Sequence, residues 1–344
     1  MTDADIQRIL QEAEVLKARQ ETPDRPEDLA RIPTLKLSDL DRAAKPIPTE
    51  VGESSGATVL YHDLPTSNII YLDLAFDLRV LPAEYVPYLP LFSKMLLEAG
   101  TTDEDYVALT QRIGSKTGGI TTGVIVSSTA DGTDTVATLT LRGKCLPHQA
   151  NDLTAILADV LLKANWDARD RALQMVLEDK AQIETYIGMM GQAFAGTRAN
   201  AALRVDGWMN EQTGGVTQLF FLRDIAKRIE HDWNSVADAL RHIARLLINR
   251  TVMTVNVTLD RMTWDGFRPM LDALITQIPA AGAVRHTWPL AEQPDAEALV
   301  VPAQVNFVAK AMDLQALGFK GSGAVATVMR TLNFGYMYPR IRLQ

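Results

Sequence analysis

Apolar positions recur at three- and four-residue steps at the start of the chain. Ile6, Ile9, Leu10, Ala13 and Leu16 fall on one face of a helix spanning residues 2–20. Thr2 or Asp3 caps its start and Pro23 stops it. Asp24 to Glu27 has capping-box spacing, with Pro26 early in a new turn, before Ile32-Pro33-Thr34-Leu35 breaks the pattern. Ser38–Asp41 predicts another short turn, and Pro46 and Pro48 predict extended chain. Residues 1–50 read as a helical arm leading into a domain.

The period then shortens. Ala57–Tyr61 predicts a short strand, a turn follows around Asp63–Asn68, and Ile69–Leu78 (IIYLDLAFDL) alternates as a strand does. Tyr85–Ala99 predicts a helix ended by Gly100, and Asp103 caps a second one through Ile113. Ile120–Ser128 and Thr135–Gly143 are rich in β-branched residues and flank Asp131-Gly132, the pattern of an antiparallel hairpin. Pro147 opens a helix to Lys163, and Ala168 opens another that runs past Tyr186. Residues 188–218 read as a long connection with helical pieces. A helix over 232–249, a strand over Thr251–Leu259 and a helix over Met262–Ile278 follow. Residues 279–297 hold three prolines and little periodicity. After them come a strand, Ala298–Lys310, and a helix from Gly323 to Tyr338. VNFVAKAMDL in that last strand echoes IIYLDLAFDL.

This order predicts an α+β fold with a mainly antiparallel sheet packed with helices. The expected organisation is a helical arm (1–50), an α+β domain (51–282), a linker (283–297) and the start of a second, truncated α+β domain (298–344). Two elements cannot bury their own apolar faces, so the last segment is expected to be incomplete.

Composition narrows the function classes. The 344 residues are 47% hydrophobic and 22% charged, which is ordinary for a globular chain. With 34 Lys+Arg against 42 Asp+Glu the net charge is −8, which argues against a nucleic-acid binder. Cys145 is the single cysteine, so no internal disulfide or CxxC metal site is possible and a reducing, cytoplasmic setting is expected. No apolar run reaches the length of a membrane span, and the acidic start Thr2–Asp5 predicts no signal peptide.

Candidate chemistry is sparse. His62, His148, His231, His242 and His286 form neither H-x-x-E-H nor H-E-x-x-H. His231 and His242, eleven residues apart, could share a helix face, but no carboxylate completes a zinc set; surface histidines are the plainer reading. Gly318-Phe319-Lys320-Gly321-Ser322-Gly323 lacks phosphate-loop spacing and reads as a small-residue helix start. Cys145 lies three residues before His148; a Cys/His pair is conceivable beside the ordinary reading of a small core residue. Carboxylates such as those in Asp167-Ala-Arg-Asp-Arg171 alternate with basic residues, as on solvated helix faces.

One set of motifs resembles a known family. Leu16-Lys17, Gln20, Pro23-Asp24, Pro26-Glu27, Leu29-Ala30, Ile32-Pro33, Leu35, Leu37 and Asp39-Leu40-Asp41 resemble the helical arm of the presequence-protease branch of the pitrilysin-type (inverzincin) zinc metallopeptidases. Leu89-Pro90-Leu91-Phe92 with Gly100-Thr101, Lys116-Thr117-Gly118-Gly119 and Val305-Asn306-Phe307-Val308-Ala309-Lys310 are similar too. So is the end, from Arg330-Thr331-Leu332 through Gly335-Tyr336 to Ile341-Arg342. The resemblance covers nearly the whole chain.

The resemblance implies a C-terminal-half fragment of a larger peptidase. Such enzymes have two halves, each of two related α+β domains, joined by the arm and closing on a chamber for unfolded peptides. The N-terminal half carries H-x-x-E-H and a later glutamate, which bind zinc and activate water. Zinc is therefore expected in that half and no cofactor in this chain, which has no catalytic residue and should not hydrolyse peptides alone. The expected partners are an unfolded peptide and the N-terminal catalytic half, with no nucleic acid and no membrane. In the family an arginine and, a few residues later in G-G-A-Y-G, a tyrosine hold the substrate. Arg342 matches the arginine, and the sequence stops before the tyrosine. A helix-terminal arginine complementing the helix dipole is the other reading of Arg342. Two further function classes are a non-catalytic partner or scaffold subunit of a pitrilysin-type peptidase, and a plain α+β interaction domain.

Overall fold

The computed structural model describes residues 2–129, 132, 134–290, 296–319 and 322–343. The chain divides into two units, Met1–Ile47 and Pro48–Gln344. The first contains α1 (Asp3–Glu21), α2 (Pro26–Leu29) and a 3₁₀ turn at Leu37–Asp39. A capping box starts α1: Asp5 N–H donates to Thr2 Oγ1 (3.4 Å) and Thr2 N–H donates to Asp5 Oδ2 (3.0 Å). No residue from 2 to 47 is buried, and the predicted stripe residues Ile9, Leu10 and Leu16 stay exposed.

The second unit is built on six strands: β1 (Glu50–Ser54), β2 (Ala57–Asp63), β3 (Ile70–Asp77), β4 (Ile120–Ser128), β5 (Thr135–Cys145) and β6 (Met253–Leu259). Their order across the sheet is β1-β2-β6-β3-β5-β4, antiparallel throughout except for the parallel β2–β6 pair. Strict alternation buries one face. Ile70, Leu72, Leu74 and Phe76 on β3 lie beside Val255, Val257 and Leu259 on β6 and Leu139 and Leu141 on β5. The opposite face is polar. His62 Nε2 lies 2.7 Å from Asn256 Oδ1, Asn256 Nδ2 donates to Asp73 Oδ2 (3.3 Å), and Arg142 reaches Asp73 (3.7 Å). This one-sided pattern is the α+β arrangement expected from the sequence.

Helices cover the buried face. They are α3 (Leu89–Glu98), α4 (Tyr106–Lys116), α5 (Ala150–Leu162), α6 (Arg169–Met189), α7 (Gly191–Asn200), α8 (Val205–Gly214), α9 (Val216–His231), α10 (Trp233–Leu247) and α11 (Arg261–Gln277). Trp264 of α11 stacks on Tyr61 of β2 with ring centroids 4.5 Å apart, and Phe92 of α3 stacks on Trp166 at 4.9 Å. After α11 the chain returns to the body. Trp288 is 2% exposed; its Nε1–H donates to Leu81 O (2.8 Å) and its ring packs against Trp208. The chain ends in α12 (Gly323–Thr331), a wider π-helical stretch at Leu332–Met337, and α13 (Tyr338–Arg342).

Three elements differ from the sequence expectation. β1 lies outside it: EVGES carries one large apolar residue, because it is an exposed edge strand. Its tight turn into β2 is marked by positive φ at Ser55 (49°) and Gly56 (89°), the geometry of a two-residue hairpin. α9 overlaps the expected connection only at residues 216–218 and otherwise fills 219–231, for which the sequence reading assigns no element. Ala298–Lys310 forms no strand: no sheet edge pairs with it, and instead the Phe307 ring occupies the space a Cβ on Gly191 would take. Asp131 of the expected hairpin turn lies outside the described residues; Gly132 beside it has φ +72°.

Candidate functional site

The histidines are dispersed. His231 ends α9 with Nδ1 2.8 Å from Lys227 O, whereas His242 lies on α10 beside the Tyr85 ring (5.1 Å). Asp232, which ends α9 and caps α10, separates them, so the shared helix face does not exist. His148 is exposed in a 3₁₀ turn at Pro147–Gln149, and the His286 N–H donates to Arg79 O (2.6 Å). Among the described residues no group of three or more His, Cys, Asp or Glu is placed to hold a metal ion. The described residues do not fit zinc.

Cys145 is 3% exposed, and burial pushes its thiol up to about 11, so it stays protonated at neutral pH. It serves as a small core residue and does not form a nucleophilic pair with His148. In the glycine-rich stretch, Lys320 and Gly321 lie outside the described residues, and α12 begins at Gly323.

Arg342 sits in the last turn of α13 with Arg340. It is exposed and makes no ion pair or side-chain hydrogen bond among the described residues. Arg340 lies over the Tyr336 ring (4.4 Å), which leaves the Arg342 guanidinium as an unengaged donor fork on this helix.

The structure also forms a site that the sequence does not suggest. A cavity of about 420 Å³ opens between α3, β4, α6 and the α8–α9 corner. Lys94 and Asp179 form an ion pair in its wall, and Leu222 and Val124 supply apolar surface. Thr122 Oγ1 donates to Ser93 O (3.4 Å). Ser93 Oγ and Gln218 Oε1, both in lining residues, have no partner among the described residues, although Gln218 is 2% exposed. Buried polar atoms without partners are uncommon; both of these oxygens are shut off from solvent, and the Lys94–Asp179 ion pair is the charged feature of the cavity wall. Among the described residues no base hydrogen-bonds Ser93 Oγ, so the arrangement is suited to binding. Its residues come from five elements far apart in sequence, and no motif spacing links them.

Comparison with known proteins places the chain. It belongs to the family of peptidase-associated domains described for M16 peptidases of subfamily C, whose model matches residues 1–225. It is 35% identical to presequence protease 1, chloroplastic/mitochondrial, of Arabidopsis thaliana over 100% of this chain and 32% of that protein. It is 28% identical to Protein HypA of Clostridium perfringens over 98% of this chain and 35% of that protein. The chain thus spans about a third of the length of these curated relatives. Among solved structures, a peptidase M16 inactive domain from Pseudomonas fluorescens aligns with a TM-score of 0.48 at 16% identity, over 71% of this chain and 54% of that one. No helix among the described residues is long and apolar enough to cross a membrane.

Proposed function

We propose that this chain is the substrate-chamber portion of a zinc metalloendopeptidase that degrades unfolded peptides, and that it does not hydrolyse peptides by itself. The observation that carries this reading is the family match over residues 1–225, extended along the whole chain by presequence-protease relatives three times its length. Zinc and the water it activates belong, on this reading, to a companion N-terminal half; this chain's residues bind and orient the peptide. Arg342 is the residue we assign to the substrate. A guanidinium is always charged and offers fixed N–H donors to a carbonyl or a developing oxyanion. The division into arm (1–50), α+β domain (51–282), linker (283–297) and the start of a second domain (298–344) is part of the same proposal. So is a cytoplasmic setting, which rests on the single, buried cysteine.

The test is association. Sedimentation velocity of this chain mixed with a separately produced zinc-bearing half should show a one-to-one complex. Independent sedimentation of the two at micromolar concentration would count against the proposal.

A further inference from the structure

The cavity lies along the outer edge of β4, and that edge is unusual. β4 is the last strand of the sheet, nine residues long. Its sequence, ITTGVIVSS, contains no charge and no proline, the two devices that ordinarily block an edge from pairing. Val124 and Ile125 are 38% and 43% exposed.

The phase of the ladder fixes which groups face outward. Lys144 N–H donates to Gly119 O (3.4 Å), and the register pairs Thr121 with Arg142 and Gly123 with Thr140. The odd-numbered residues of β4 therefore turn their N–H and C=O toward β5. Thr122, Val124 and Val126 direct theirs away from the sheet, since the two orientations alternate along an antiparallel strand. Beyond β5, no backbone N–H of β4 donates to any described residue. The side chains of Thr122 and Val124 lie on the helix-covered face and line the cavity.

We infer that an extended peptide segment pairs with the outer edge of β4 through Thr122, Val124 and Val126, and sets one of its side chains into the cavity beside Lys94, Asp179 and Gln218. An open ladder supplies main-chain hydrogen bonds that do not depend on sequence, and the adjoining cavity supplies selection at alternate side chains. This inference rests on the proposed role of the chain in holding unfolded peptides, and adds where and how one is held. The lining matches such an occupant. Leu222 and Val124 take an apolar stem, while the Lys94–Asp179 ion pair in the wall favours a side chain with a polar end.

The experiment uses the whole chain and a short fluorescein-labelled peptide, uncharged, rich in Val and Thr and non-repeating, followed by anisotropy. Val124→Pro deletes an outward N–H without touching the β5 ladder, a position at which an edge strand tolerates proline. It should weaken binding at least tenfold, while Ile125→Thr, on the face away from the cavity and with its N–H turned toward β5, binds within twofold of the parent. Two versions of the peptide, N-methylated at alternate residues, test the same point with the protein unaltered: one should bind as the parent does and the other should lose at least tenfold. If both methylated peptides and Val124→Pro behave like the parent, the edge is not used, although peptide holding by this chain stands. If the unaltered chain does not bind the peptide, or if β4 instead joins two copies of the chain in a dimer that Val124→Pro dissolves, the inference is overturned. The association test with the zinc-bearing half then judges the broader proposal on its own.

Discussion

Arg342 is the residue on which the proposed chemistry is most exposed to test. On the proposed reading, in an enzyme joined to its zinc-bearing half and continued through G-G-A-Y-G, Arg342 would donate to the carbonyl of the bound peptide. A donor that binds the developing oxyanion more strongly than the ground-state carbonyl lowers the barrier itself. Loss of one such donor typically costs about 10²–10³ in rate. Arg342→Ala and Arg342→Lys should both lose most of kcat/KM with zinc content and melting temperature kept, because lysine lacks the planar fork. Near-normal turnover with a stability loss of about 0.3–1 kcal/mol would show that Arg342 only complements its helix. A second residue-scale expectation concerns Glu297. Arg198 holds its carboxylate with a two-pronged contact, Nε to Oε2 (2.8 Å) and Nη2 to Oε1 (3.0 Å), and these hydrogen bonds keep the Glu297 pKa below its ordinary 4.5. A lowered folded pKa adds stability that is present above pH 4.5 and lost as pH falls through the folded value. Glu297→Gln should therefore cost about 1 kcal/mol or less at neutral pH and flatten the acid limb of a denaturation series. An unchanged acid limb would mean that the contact is absent in solution. Arg342 is legible in the sequence only through its motif, because nothing in a terminal arginine's own surroundings distinguishes a donor to substrate from a helix cap. Ser93, Lys94, Asp179 and Gln218 are not legible there, because folding alone brings α3, α6 and α9 around β4.

At the scale of elements, the local signals that succeed are those with a single cause. IIYLDLAFDL alternates because one face of β3 is buried and the other faces solvent. Gly100 ends α3 because its φ of +80° is the left-handed conformation a helix C-terminus uses. A Cβ there would lie 2.6 Å from Glu104 O and 2.8 Å from the Asp105 carbonyl carbon, both backbone atoms. Gly100→Ala should cost about 1–3 kcal/mol in urea unfolding, and a neutral result would show that this turn relaxes. The misses have causes too. α9 does carry a signal: Val216, Leu219, Leu222, Ile225 and Ile229 are spaced at three and four and all are buried. The Gly214-Gly215 pair and the polar stretch before it obscure that signal. β1 is nearly invisible because an edge strand with both faces wet needs no alternation. Ala298–Lys310 has strand composition, but a strand needs a neighbour, and here its Phe307 packs on α7 instead.

At the scale of the molecule, burial is unevenly distributed. The sheet and its helices hold the core, whereas no described residue in 2–47 or from 296 onward is buried, although those segments carry Leu35, Leu37, Val308 and Phe334. Apolar surface of this extent is what the proposed contact with a companion half would cover. That proposal rests on the family match over residues 1–225 and on the presequence-protease relative aligned along the whole chain. The most direct test is hydrolysis of an unfolded peptide by the zinc-bearing half, by this chain and by the two together. The account expects negligible turnover from this chain alone, little from the zinc-bearing half alone, and restored turnover when both are joined. Full turnover by the zinc-bearing half without this chain, or peptide hydrolysis by this chain by itself, would contradict it.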